Sequence, residues 1–155
     1  MAYVALIIGM RGQGKTTFIK NMLKGNPNYV FDVQNEYQDF NPAPHLDRKQ
    51  FISECIEFTD TFCVFEEATG FFKGRLDEQT DRMILSARHT RNRYIFCFHS
   101  IQAVPPGIMN MVNFVVLFKT NDEPRVIKSK YSKLLKPYLI LSQKPKYSKL
   151  IIQTI

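Results

Sequence analysis

The chain has 155 residues, the length of one ordinary domain, and 45% hydrophobic content with 13 Phe and 7 Tyr is ample for a core. Cys55, Cys63 and Cys97 lack CxxC or Cys/His spacing, and no apolar run reaches the roughly 18 to 20 residues of a bilayer span, so disulfide, zinc-site, secreted and membrane-spanning classes are all disfavoured. The net charge of +7 lies in one place, with 12 Lys/Arg against 12 Asp/Glu in residues 1–118 and nine against two in residues 119–155; this predicts a polyanion partner, the alternative being a solvated basic face.

In chain order, apolar runs of strand length alternate with longer amphipathic stretches, the rhythm of an α/β fold with a largely parallel sheet. Strands are predicted over 3–8, 29–32, 62–66, 94–99 and 114–118, and helices over 15–23, 47–58, 78–88 and 106–111. The strand runs are apolar throughout, as expected of strands covered on both faces. Beyond residue 121 the pattern predicts a short basic helix over 124–134 and then a β-hairpin turning at 143–145. One domain over 1–155 is expected, with a core over 1–118 and a basic extension over 119–155. The fold class so predicted is α/β, a mainly parallel five-stranded sheet flanked by helices, followed by a small C-terminal helix and hairpin.

The first strand runs into Gly9-Met10-Arg11-Gly12-Gln13-Gly14-Lys15-Thr16, which fits G-x-x-x-x-G-K-[ST] at every fixed position and stands between a strand and a helix, as that motif requires. Glycines let backbone N–H groups wrap phosphates, and the helix N-terminus adds its positive end. Lys15 reaches the β and γ oxygens, and the Thr16 hydroxyl ligates Mg²⁺. The nucleotide-binding set is therefore Gly9, Arg11, Gly12, Gln13, Gly14, Lys15, Thr16 and Thr17, with ATP and Mg²⁺ as the bound species. The third strand ends in two adjacent carboxylates. Glu66 is suited to the Mg²⁺ shell and Glu67 to polarising a water for in-line attack on the γ-phosphate. The fourth strand ends in His99, Ser100 and, two residues on, Gln102, any of which could sense the γ-phosphate or hold the attacking water.

At this point the sequence resembles a family. The phosphate loop with "VFDVQNEYQDF", "CVFEEATGFF" and "ARHTRNRYIFCFHSIQ" is similar to the FtsK and HerA superfamily of DNA-pumping ATPases, which includes viral genome-packaging ATPases, and to the zonular occludens toxin family of filamentous phages. The resemblance covers residues 3 to about 118. It departs from the family phrase at 32–37, where Pro and Gly are replaced, and at His99-Ser100, where the family has Thr-Gln. It implies a RecA-like core, ATP hydrolysis, and a pentameric or hexameric ring. Arg88, Arg91 or Arg93 would then reach the neighbouring nucleotide as a trans finger. Double-stranded DNA bound without sequence preference is the implied partner, with a capsid or portal protein beside it, in the host cytoplasm or the virion.

The leading expectation is an ATP-driven DNA translocase that packages a viral or phage genome. A Zot-like assembly or export ATPase and a small P-loop kinase are the alternatives, and a binding module with little turnover stands behind both. Glu67 argues against a kinase, which needs no second carboxylate. In the tail, Lys128, Lys130, Lys133, Lys136, Lys144, Lys146 and Lys149 lie among Tyr131, Tyr138 and Tyr147, a mixture suited to phosphate contact and stacking. Being remote in sequence from the phosphate loop, the tail is expected to leave nucleotide binding untouched.

Overall fold

The computed structural model describes residues 1–154. Strand β1 (Tyr3–Ile8) alternates its side chains between two cores: Val4, Leu6 and Ile8 enter one, Ile7 the other. Helix α1 (Lys15–Leu23) starts from Gly14, whose left-handed φ of 99° turns the chain off the phosphate loop, and packs Ile19 and Leu23 over the Ile7 side. Strand β2 (Asn28–Phe31) leads to α2 (Arg48–Glu57), which Asp47 caps by accepting from the Gln50 N–H at 3.2 Å. Strand β3 (Phe62–Phe65) is followed by one turn of helix, α3 (Ala68–Phe71). Asp77 then caps α4 (Glu78–Leu85). A break at Ser86 separates α4 from the short α5 (Ala87–Thr90), so the single helix expected over 78–88 is two.

Strand β4 (Arg93–Phe98), the one-turn α6 (Pro106–Met109) and β5 (Phe114–Phe118) complete the core. After them come α7 (Pro124–Lys130), a short 3₁₀ turn, α8 (Leu135–Ser142) and β6 (Lys149–Gln153). The sheet has six strands in the order β2-β3-β4-β1-β5-β6, parallel except for β6, which runs antiparallel to β5 with Phe118 opposite Lys149. α1 and Tyr37 cover one face, while α2, α4, α7 and α8 cover the other.

The expected C-terminal hairpin is corrected by this topology. Residues 135–142 are helical and β6 joins the main sheet. Pro137 falls in the first turn of α8, where an amide N–H has no intrahelical partner to lose, so it does not break the helix. Residues 149–153 pair with β5 because their alternation lets Leu150 and Ile152 pack on the core while Ile151 faces outward. The extension therefore shares the sheet of the core, and its return strand begins at the same end of the sheet as the phosphate loop.

Candidate functional site

The carboxyl ends of β1, β3 and β4 deliver Lys15, Thr16, Glu66, Glu67 and His99 to one cleft of about 380 Å³. In a parallel sheet these ends converge, and loops there are free to hold a ligand. The phosphate loop is pinned at both sides: the Gly9 N–H donates to the Phe98 carbonyl at 3.0 Å, and the Met10 N–H to the Lys119 carbonyl at 2.9 Å. Gly9 is sterically required, since a Cβ there would stand 2.6 Å from Cβ of Phe118. Arg11, Gly12, Gly14, Lys15, Thr16 and Thr17 line the cleft. Lys15 is only 9% exposed and donates to the carbonyls of Gly9 and Met10. Burial pushes its ammonium pKa down, opposed by the nearby Glu66 and Glu67.

Thr16 Oγ1 lies 3.2 Å from Glu36 Oε2 and 3.3 Å from Glu66 Oε1. Glu66 is 8% exposed and accepts from the Tyr37 hydroxyl at 2.6 Å. Burial raises its pKa to about 7, with Glu36 adding to the rise while the Tyr37 and Thr16 hydroxyls and Lys15 oppose it. Among the described residues no group of three or more His, Cys, Asp or Glu could hold a metal by itself. A hydroxyl beside two carboxylates is instead the hard-oxygen, partial set that suits Mg²⁺ when phosphate oxygens complete the shell. Glu67 also lines the cleft. Its Oε1 is hydrogen-bonded to His99 Nε2, and its Oε2 accepts from Gln34 Nε2 at 3.3 Å. The His99 backbone is held in turn by Thr69 Oγ1 at 3.0 Å.

The remaining candidates go elsewhere. Ser100 does not line the cleft, and Gln102 is exposed, its backbone N–H donating to the buried carboxylate of Asp122 at 2.9 Å. Arg88, Arg91 and Arg93 precede or open β4, so they lie at the amino end of the sheet, about 20 Å of strand from the cleft. Arg91 pairs with Asp60 at 2.9 Å and Arg93 stacks 4.2 Å from the Phe62 ring centroid, whereas Arg88 is exposed with no ion pair among the described residues.

Gln34, Glu36 and Tyr147 line the cleft and Tyr37 backs it through Glu66, although none of the four belongs to the expected site. The first three in chain order, Gln34, Glu36 and Tyr37, arrive because Asp32 accepts from the Glu36 and Tyr37 N–H groups, each at 2.9 Å, and curls residues 32–37 back over Thr16. The Asp-to-Tyr phrase is visible in the sequence, but its curl is not. Tyr147, grouped in the sequence with the basic tail, lines the cleft, because the strand it leads into pairs with β5. This corrects the expectation that the tail is remote from the phosphate loop.

A phosphate loop on the first strand of a mostly parallel sheet defines a P-loop NTPase core. No family model matches the chain, and no curated sequence matches it. Solved structures do. The genome packaging NTPase B204 from Sulfolobus turreted icosahedral virus 2, in complex with ATP-gammaS, is similar with a TM-score of 0.83 at 15% identity over 98% of this chain and 92% of that one. The N-terminal domain of zonular occludens toxin from Neisseria meningitidis gives 0.61 at 13% identity over 83% and 90%. The pCW3 conjugation coupling protein TcpA gives 0.64 at 15% identity, over 99% of this chain and 58% of that one. At such identities the likeness establishes the fold.

Proposed function

We propose that the protein is an ATP-hydrolysing DNA translocase that packages a viral genome. The observation that carries this reading is the meeting, in one cleft, of Lys15 and Thr16 with an adjacent carboxylate pair in which Glu67 is clasped by His99 and Gln34. The fold likeness to a genome packaging NTPase over nearly the full length of both chains supports it.

In the reaction, loop N–H groups and Lys15 hold the triphosphate. A water attacks the γ-phosphorus, the bond to the β,γ-bridging oxygen breaks, and ADP and phosphate result. Glu67 takes the proton of that water, and its bond to His99 keeps the carboxylate aimed into the cleft. Thr16 and Glu66 would hold Mg²⁺, which would supply charge neutralisation for the phosphates. Lys15 must leave the carbonyls of Gly9 and Met10 to meet the phosphates.

A Zot-like export ATPase is the second reading, supported by the match to zonular occludens toxin. Among the described residues no helix is long and apolar enough to cross a membrane. The deciding experiment measures ATP hydrolysis with and without double-stranded DNA, beside phosphorylation of nucleosides. DNA-stimulated release of phosphate that Lys15→Ala abolishes is expected. Nucleoside phosphorylation, or nucleotide binding unchanged in Lys15→Ala, would overturn the reading.

A further inference from the structure

Tyr147 is 60% exposed, has a left-handed φ of 69°, and borders two clefts at once. One is the phosphate cleft. The other, about 420 Å³, opens on the side of α1 and is walled by Gln13, Thr17, Phe18, Phe118 and Lys149 together with Tyr147. Gly14, Thr17 and Tyr147 line both, so the two spaces adjoin at the last turn of the phosphate loop. The rings of Tyr147 and Phe118 close on Gly14: a Cβ there would meet Tyr147 Cδ1 at 3.4 Å and Phe118 Cε1 at 3.7 Å. A second observation is independent of the rings. Gln13 is 7% exposed, lines this cleft, and its buried Oε1 has no hydrogen-bond partner. A buried amide oxygen is rarely left unpaired.

The geometry points to this second cleft as the nucleoside subsite, where Tyr147 stacks on the base and Gln13 Oε1 accepts a hydrogen bond from an N–H or O–H of the nucleoside. The inference rests on the nucleotide reading above and adds where the non-phosphate half of the ligand is held and by what. A triphosphate seated on Lys15 and Thr16 has its nucleoside at the far end of the phosphate chain, and the shared Gly14 and Thr17 wall leads it into this space. Stacking on an exposed tyrosine suits a flat base, because every base has a π-face. The carboxamide of Gln13 supplies the one directional contact.

The test compares ATP with inorganic tripolyphosphate, which has no base, by titration calorimetry. Wild type should bind ATP more tightly than tripolyphosphate. Tyr147→Ala should weaken ATP between about fivefold and a hundredfold, with tripolyphosphate unchanged, and Tyr147→Phe should restore ATP. Gln13→Ala should likewise weaken ATP alone. Because the chain contains no tryptophan, Tyr147→Trp makes a single reporter whose fluorescence ATP should quench and tripolyphosphate should not. Equal losses for both ligands in Tyr147→Ala would mean that the ring only supports the loop. That result, no loss of ATP, or an unquenched reporter would overturn the subsite while leaving the nucleotide reading standing. Wild type that binds neither ligand would overturn the nucleotide reading itself.

Discussion

Glu66 is the residue at which stability and function pull apart. Its carboxylate is buried and its pKa rises to about 7, so the folded, nucleotide-free protein holds a proton there that the unfolded chain releases near 4.5. A raised carboxyl pKa stabilises below the unfolded value, and that stabilisation is lost as pH climbs through the folded one. Thermal unfolding without nucleotide should therefore show stability falling between roughly pH 4.5 and 7, by about 3 kcal/mol from this group. Glu66→Gln should flatten the slope and raise the melting temperature at pH 8; a slope unchanged in the variant would remove Glu66 as its source. Glu67 is predicted to behave differently. Glu67→Gln should bind ATP yet hydrolyse it slower by a factor on the order of 100 or more, measured in single turnover. His99→Ala should slow it less, since His99 acts by holding the carboxylate in place.

Packing and hydrogen bonding between elements decide whether the loop keeps its shape. Gly9→Ala would set a Cβ against Cβ of Phe118, and overpacking of this kind costs about 1 to 3 kcal/mol. Phe118→Ala should not rescue it, because alanine retains the clashing atom; rescue, read by denaturant midpoint, would show that the ring and not the β-carbon is the obstacle. Asp122, 3% exposed, holds the Ile101 and Gln102 amides at 2.8 and 2.9 Å, and Asp122→Ala should destabilise by about 3 kcal/mol. What the sequence makes legible follows the same division between local and long-range causes. Residues 3–8 and 114–118 are readable as strands because both of their faces are apolar. Gly9 to Thr16, Glu66, Glu67 and His99 are readable because each directly follows a strand. The helix at 135–142 is not, since "YLIL" has no polar face and Pro137 reads as a breaker unless its place in the first turn is known. Nor are Glu36 and Tyr147, which reach the cleft through an Asp32 curl and a strand register with no local signature.

At the scale of the molecule, the arginines stand at the end of the sheet opposite the cleft, away from this chain's own phosphate site. Arg91 is engaged by Asp60 and Arg93 is stacked on Phe62, so a trans finger from this segment is tested first at Arg88. Arg88→Ala and Lys15→Ala proteins, each inactive alone, should regain part of the hydrolysis rate when mixed. If Arg88→Ala is fully active by itself, the finger lies elsewhere or no ring forms. DNA binding is best tested at Lys128, Lys133 and Lys136, which are exposed and, unlike Lys149, do not border a nucleotide cleft. Changing all three to Gln should flatten the plot of log affinity against log salt by about 0.9 for each phosphate no longer neutralised, and leave ATP affinity as it was. Strand β1 sits between β4 and β5, with Val4 beside Tyr94 and Ala5 beside Phe114. A strand that finds its partners only about ninety residues away is reached late by a folding chain, because closing so large a loop precedes any reward in packing. The phosphate loop hangs from that strand. In refolding from denaturant, competence to bind ATP should therefore emerge with the slowest sheet-forming rate constant, long after α1 and α2 have gained their helical signal.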